Sequence, residues 1–160
     1  MKLGIIGIAV AVALAGCTPS QVVNRIDLGE KNMTSLELMA LQTREYQAST
    51  EAAFGAVVGA IQDSGFTISL ADKSSGLVVA KTPSQAAQRY GNQTVSYQTA
   101  NVTVRDKGQN NVAIRVNFIK HVEAASMHGR AEKEAAVTSP ASYQEFFAKV
   151  QKALFINSNL

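Results

Sequence analysis

Two runs of alternating residues constrain this chain most. Thr94 to Asp106 and Val112 to Val122 flank the turn-forming stretch Lys107-Gly108-Gln109-Asn110-Asn111. Runs of that length with β-branched residues at every second position are strands, and the Gly/Asn-rich pentad between them closes a hairpin. In the second run Val112, Ile114, Val116 and Phe118 fall on one face, while Arg115, Asn117 and His121 fall on the other. A sheet with one apolar and one wet face is antiparallel, and its apolar face must be covered by another layer. In the first run the apolar parity shifts between Val95/Tyr97 and Val102/Val104. A β-bulge near Thr99 to Asn101 would produce that shift.

The covering layer is visible as two amphipathic helices. The first is opened by Ser49 or Thr50, with Glu51 in its first turn. Phe54, Val57, Val58 and Ile61 form its stripe, and Gly65 stops it. Gly55 and Gly59 lie four apart in it, which we read as tight packing on a sheet in preference to a dimerisation face, a device of apolar membrane spans. The second helix starts at Ser139-Pro140 and carries Tyr143, Phe146, Phe147, Val150 and Leu154, ending near Phe155. The paired phenylalanines are core residues in this reading.

Leu41 to Gln47 reads as a strand, preceded by a short helical turn with the capping-box form Thr34-Ser35-Leu36-Glu37. Phe66, Ile68 and Leu70 alternate as another strand, and Ala71 to Gly76 turns the chain into a third, Leu77 to Lys81. Thr82 to Gln93 is a polar loop, long for a hairpin and therefore either mobile or functional. Glu123 to Thr138 mixes alanine with charges and shows no stripe, so it reads as an excursion with room for some helix. The expected order is β-α-β-β-β-β-α. That makes an α+β two-layer sandwich with an antiparallel sheet and two amphipathic helices over residues 34–160.

The segment before the domain speaks to location. One lysine, then the apolar run Leu3 to Ala15, then small residues, is the pattern of a secretory signal, and the run is shorter than the roughly 20 residues a membrane span needs. Leu14-Ala15-Gly16-Cys17 resembles the lipobox of bacterial lipoproteins, whose cysteine is thioether-linked to diacylglycerol, cleaved at its amino side and N-acylated. The resemblance makes residues 1–16 a lipoprotein signal peptide and Cys17 the lipidated residue. Two or three acyl chains anchor a protein durably, where one does so only marginally. Thr18 follows in place of the aspartate of inner-membrane retention signals, which favours the periplasmic face of the outer membrane. The rest of 17–33 is polar and turn-rich, a tether with a root-mean-square reach of roughly 20–25 Å.

Several function classes find no support. Net charge is +3, with scattered basic residues and no tryptophan, so neither a phosphate-tracking patch nor a stacking platform for nucleic acid is present in the sequence. The one cysteine is used by lipid, leaving no disulfide, no thiol nucleophile and no cysteine ligand. A metal centre would have to use His121 and His128 with Glu123 and Glu132; two histidines in a charged region read more simply as solvated side chains. No serine elbow, phosphate loop or cofactor motif is found, so the expectation is a non-enzymatic protein without metal or cofactor.

The run Arg44 to Thr82, REYQASTEAAFGAVVGAIQDSGFTISLADKSSGLVVAKT, resembles the helix-grip domains of envelope lipoproteins, in particular the lipoprotein C subunit of the outer-membrane β-barrel assembly machine. Tyr143-Gln144-Glu145-Phe146-Phe147 and Lys152-Ala153-Leu154-Phe155 resemble the end of uncharacterised single-domain proteobacterial lipoproteins. The resemblance implies a helix-grip-like fold and brings no catalytic residue with it. Two functions are compatible with this reading. One is a membrane-anchored binding or assembly module for an envelope protein partner, using the exposed sheet edge and the segments Thr82 to Gln93 and Glu123 to Thr138. The other is a carrier or sensor of a small apolar ligand, which needs an enclosed helix–sheet space of roughly 300 Å³ or more.

Overall fold

The computed structural model describes residues 33–89, 92–126 and 129–158. Cys17, the signal, nearly all of the tether and His128 lie outside the described residues. The elements run α1 (Ser35–Gln42), β1 (Thr43–Gln47), α2 (Thr50–Asp63), β2 (Thr67–Asp72), β3 (Leu77–Lys81), β4 (Gln85–Arg89), β5 (Asn92–Gly108), β6 (Asn111–Ser126), β7 (Gly129–Ala136) and α3 (Pro140–Ser158). The fold is an α+β two-layer sandwich.

The sheet is built on the β5–β6 hairpin. Its register runs without interruption from Gln93↔Ala125 to Asp106↔Val112 and shifts only between Asp106 and Gly108. There the turn takes positive φ at Gly108 (80°), Gln109 (54°) and Asn110 (58°), and the Asp106 carboxylate accepts the Gly108 N–H at 2.7 Å. The bulge expected near Thr99 to Asn101 is therefore absent. Parity does not change along β5; the face that carries apolar residues does. Val102 and Val104 are buried beneath the helices, whereas Val95 and Tyr97 lie on the opposite face, where Tyr97 stacks on His121.

Each long strand has two shorter neighbours in succession along one edge. β6 pairs first with β1 (Thr43↔Arg115 to Gln47↔Asn111) and farther along with β7 (Ile119↔Ala136 to Ser126↔Gly129). β5 pairs with β3 (Leu77↔Thr103 to Lys81↔Thr99) and then with β4 (Gln85↔Ser96 to Arg89↔Asn92). β2 closes the far side of β3. All pairings are antiparallel.

One half of this sheet is covered. Val78, Ala80, Ala100, Val102, Val104, Val112, Ile114, Val116 and Phe118 bury their face beneath α2 and α3. From α2 come Ala53, Ala56, Val57, Ala60 and Ile61, with Phe54 and Val58 packed at the margin, so the buried stripe is rotated toward the alanines. Small side chains there let α2 lie close to the sheet. Gly55 and Gly59 do not serve that purpose: a methyl group on either would meet nothing within 4 Å, which overturns the tight-packing expectation. Gly76 shows the opposite situation. It has φ +68°, a Cβ there would sit 2.2 Å from the Val104 carbonyl oxygen, and its own carbonyl accepts the Val104 N–H at 2.8 Å.

Polar ties fix the layers. Lys149 Nζ donates to Asp63 O (3.2 Å) and Ser64 Oγ (3.1 Å) at the C-terminus of α2, where a cation complements the helix dipole. Tyr46 Oη donates to Phe147 O at 3.2 Å, joining β1 to α3. The helical turn expected before β1 is a full helix, α1, with its capping box formed: Glu37 N donates to Thr34 Oγ1 (3.2 Å) and Thr34 N to Glu37 Oε2 (2.8 Å). It runs to Gln42, so Leu41 and Gln42 belong to it and the strand starts at Thr43. The buried Gln42 ties α1 to the sheet, donating to Asn117 Oδ1 and accepting from Arg115 Nη2, both at 3.1 Å. That helix, β4 and β7 extend the expected order.

Candidate functional site

The other half of the sheet projects beyond the helices. It consists of β4, the start of β5, the end of β6 and β7, and neither β4 nor β7 makes substantial contact with a helix. We call it the wing. Both segments expected to be irregular, Thr82 to Gln93 and Glu123 to Thr138, are mostly strand within it. Their sequences, Gln-Ala-Ala-Gln-Arg and Gly-Arg-Ala-Glu-Lys-Glu-Ala-Ala, are partly or fully exposed on both faces wherever side chains are described. Strands without a fully dry side carry at most a weak period-2 burial signal, and backbone pairing is what defines them.

The wing's open face carries a compact polar cluster. Tyr97 and His121 are register partners, and their rings stack with centroids 4.6 Å apart and 11° between planes. Lys81 Nζ, from β3, lies 3.6 Å from the Tyr97 centroid, a cation–π contact. His121 Nε2 shares a 2.6 Å hydrogen bond with Thr99 Oγ1. Its Nδ1 is inaccessible to water and 3.3 Å from Glu134 Oε2, at ion-pair distance but off the line of a hydrogen bond. Glu123 and Glu132 face each other across β6 and β7. The Tyr97 hydroxyl is pushed above the usual tyrosine value, first by desolvation and then by Glu132, Glu123 and Glu134.

Beside this cluster an open groove of about 410 Å³ crosses the wing, lined by Gln93, Val95, Glu123, Arg130 and Glu132, with the alanines between them. Of the four residues weighed for a metal, the structure brings Glu123 and Glu132 together and places His121 beside Glu134, while His128 lies outside the described residues. No group of three or more His, Cys, Asp or Glu side chains is arranged to hold a metal ion among the described residues.

Thr99, His121 and Glu134 stand in the order of a nucleophile, base and acid. The sheet denies them the remaining part. Thr99 lies in the interior of β5 between β3 and β6, where backbone N–H groups are committed to the ladder, so that stretch offers no free pair of donors for an oxyanion. The arrangement holds the rings in place and presents a surface. Lys81, Tyr97, Thr99 and Glu134 were not singled out from the sequence. The signal that finds them is register: counting back from the Gly108 to Asn110 turn pairs Tyr97 with His121.

The centre of the space between helices and sheet is occupied, and at its end an open groove of about 470 Å³ lies between β1, α2 and α3. Phe118 packs against Tyr143 (5.4 Å between centroids) and Phe146 (5.8 Å, edge-on), Phe146 meets Phe147 at 5.3 Å, and Val116 is fully buried beside them. The nearby groove at Phe66, Gln98 and Ser142 is open and measures about 130 Å³. Among the described residues no helix is long and apolar enough to cross a membrane.

No protein-family model matches the chain, and no curated protein matches it. Among solved structures, the chain is similar to a DUF4468 family protein from Bacteroides ovatus, with 9% identity and a TM-score of 0.41, over 70% of this chain and 84% of that one.

Proposed function

We propose that this chain is a lipid-anchored, periplasm-facing envelope protein of the outer membrane, held through Cys17, and that its folded domain is a non-enzymatic docking module for a protein partner in a membrane complex. The signal and the Leu14 to Cys17 tetrad support the anchor. The observation that carries the docking role is the wing: the two segments marked as contact surfaces come together as one sheet that, among the described residues, has no helix over it and has open edges and an open groove. Such edges and rigidly held surfaces are common sites of protein recognition. The filled helix–sheet layer weighs against a carrier of small apolar ligands, which needs enclosed space there.

The test has two arms. Cys17→Ala should move the protein from the membrane to the soluble envelope fraction with its melting temperature unchanged, because the described core makes no use of that residue. Site-specific photocrosslinking in intact cells should give adducts from the wing and none from the outer face of α2. A Cys17→Ala protein that stays in the membrane with the mass of the unmodified chain sinks the anchor, and an absence of adducts from every wing position sinks the docking role.

A further inference from the structure

We infer that the outer edge of β4 is the site where a partner protein adds an extended strand, and that the added strand is uncharged where it lies opposite Gln85 to Gln88. This rests on the docking reading above and gives it a place and a chemistry.

The backbone phase shows which groups are available. Thr82 N–H donates to Gln98 O at 2.9 Å, so Gln98 turns its main-chain groups toward the β3–β4 side of β5. Alternate residues of a strand bond to the same side, so Ser96 and Thr94 do likewise, toward their register partners Gln85 and Ala87. Ala86 and Gln88 then direct N–H and C=O outward, where no strand pairs with them among the described residues. Gln85 to Gln88 are exposed.

The other edges are guarded. β7 carries Arg130, Glu132, Lys133 and Glu134, and charges along an edge discourage added strands. β2 has a register irregularity between Ile68 and Leu70. β1 follows directly on α1 and is tied to α3 through Tyr46. β4 is regular in register, and four of its five residues, Gln85 to Gln88, have no charge, with Arg89 at its end.

The neighbours of an added strand define its chemistry. They are Gln85 and Ala87 on one face and Ala86 and Gln88 on the other, backed by Thr94 and Val95. A charged side chain opposite Gln85 to Gln88 finds no counterion among those four residues, whereas small and amide side chains fit. A second copy of this chain is the weaker occupant. Symmetric antiparallel pairing about Ala87 sets Ala86 against Gln88 and Gln85 against Arg89, with no complementary charge. It also joins two rigid bodies along only about 17 Å of a single strand, whereas stable interfaces bury ~1,200–2,000 Å². A segment of another protein is not confined to the length of β4.

The test uses the full-length lipidated protein in intact cells, with p-benzoylphenylalanine placed in turn at Gln88 on β4, Glu132 on β7 and Ser69 on β2. The expected result is an adduct from Gln88 heavier than the chain by a mass other than its own, at least tenfold stronger than from the other two sites. Ala86→Lys, which charges the edge without removing a donor, should reduce it at least tenfold, and Ala86→Pro should do the same, both with melting within about 2 °C of the parent. Adducts from Glu132 or Ser69 without Gln88 overturn the edge assignment and leave docking standing. An adduct of twice the chain mass overturns the partner, adducts surviving Ala86→Lys overturn strand addition, and no adduct at any position overturns docking itself.

Discussion

Changing glycine to alanine should have opposite effects at different positions in this fold. Gly55 and Gly59 are interior to α2, and a Cβ at either meets nothing within 4 Å. The substitution therefore only removes the entropic penalty of glycine in a helix, about 0.8–1.0 kcal/mol each. The two sites are one turn apart and two methyl groups there do not clash, so Gly55→Ala/Gly59→Ala should gain about 1.5–2 kcal/mol, or roughly 6–10 °C in Tm for a domain of this size. Gly76→Ala puts a Cβ 2.2 Å from the Val104 carbonyl oxygen at φ +68°. The left-handed conformation alone costs about 1 kcal/mol or more, and the obstacle is backbone in a central strand. A loss of about 2–4 kcal/mol is expected, since relieving the clash means pulling the β2–β3 turn off β5. Chemical denaturation followed by circular dichroism measures all three variants at once. Destabilisation by the double α2 variant would refute the reasoning, because it would mean that the outer face of α2 is in contact with another backbone.

Other consequences follow from the packing and the charges. Phe146→Ala, at the meeting point of Phe118 and Phe147, should cost about 3–5 kcal/mol, whereas Leu36→Ala on the exposed side of α1 should stay within about 0.5 kcal/mol in the same denaturation assay. Thr99→Val leaves His121 Nε2 without its hydroxyl partner and should cost about 1–2 kcal/mol, with loss of the Tyr97–His121 stacking signature in the NMR shifts of both rings. Asp72 is held down to about 2 by hydrogen bonds from the Ser74 and Ser75 hydroxyls and the Ser74 N–H. A depressed carboxylate stabilises above its unfolded value near 4, so its contribution should vanish as pH falls from about 4 to 2, and Asp72→Asn should flatten that part of the stability curve. Burial raises the Tyr46 and Tyr143 hydroxyls, so the unfolded chain ionises first and stability should fall as pH rises past about 10, read by phenolate absorbance.

The covered half of the molecule is legible in the sequence because burial leaves a period there. Val112 to Phe118 alternate, and Tyr143 to Leu154 recur at helical spacing; each pattern names its own element. The wing is not legible for the complementary reason. Gln85 to Gln88 face water on both sides, and in Gly129 to Ala136 Arg130, Glu132 and Glu134 are exposed while Ala131, Lys133 and Ala135 are only half-buried, so parity is absent or faint and the strands are defined by hydrogen bonds that composition does not record. The glycines of α2 misled for a related reason: four-residue spacing places them on one face but does not say which. For the candidate site, Glu123, Glu132 and His121 are conspicuous as residue types. Their association with Tyr97, Thr99, Lys81 and Glu134 depends on cross-strand register, a long-range property of the turn at Gly108.

The uninterrupted β5–β6 ladder has a mechanical consequence. Its one irregularity lies at the turn, under the covered half, and none lies between that half and the wing. The protein therefore has no built-in joint at the point where the helices end. A load applied to the wing is carried as shear along parallel rows of hydrogen bonds into Val102, Val116 and the aromatic layer behind them. The domain behaves as a stiff arm, able to turn as a whole without changing its shape.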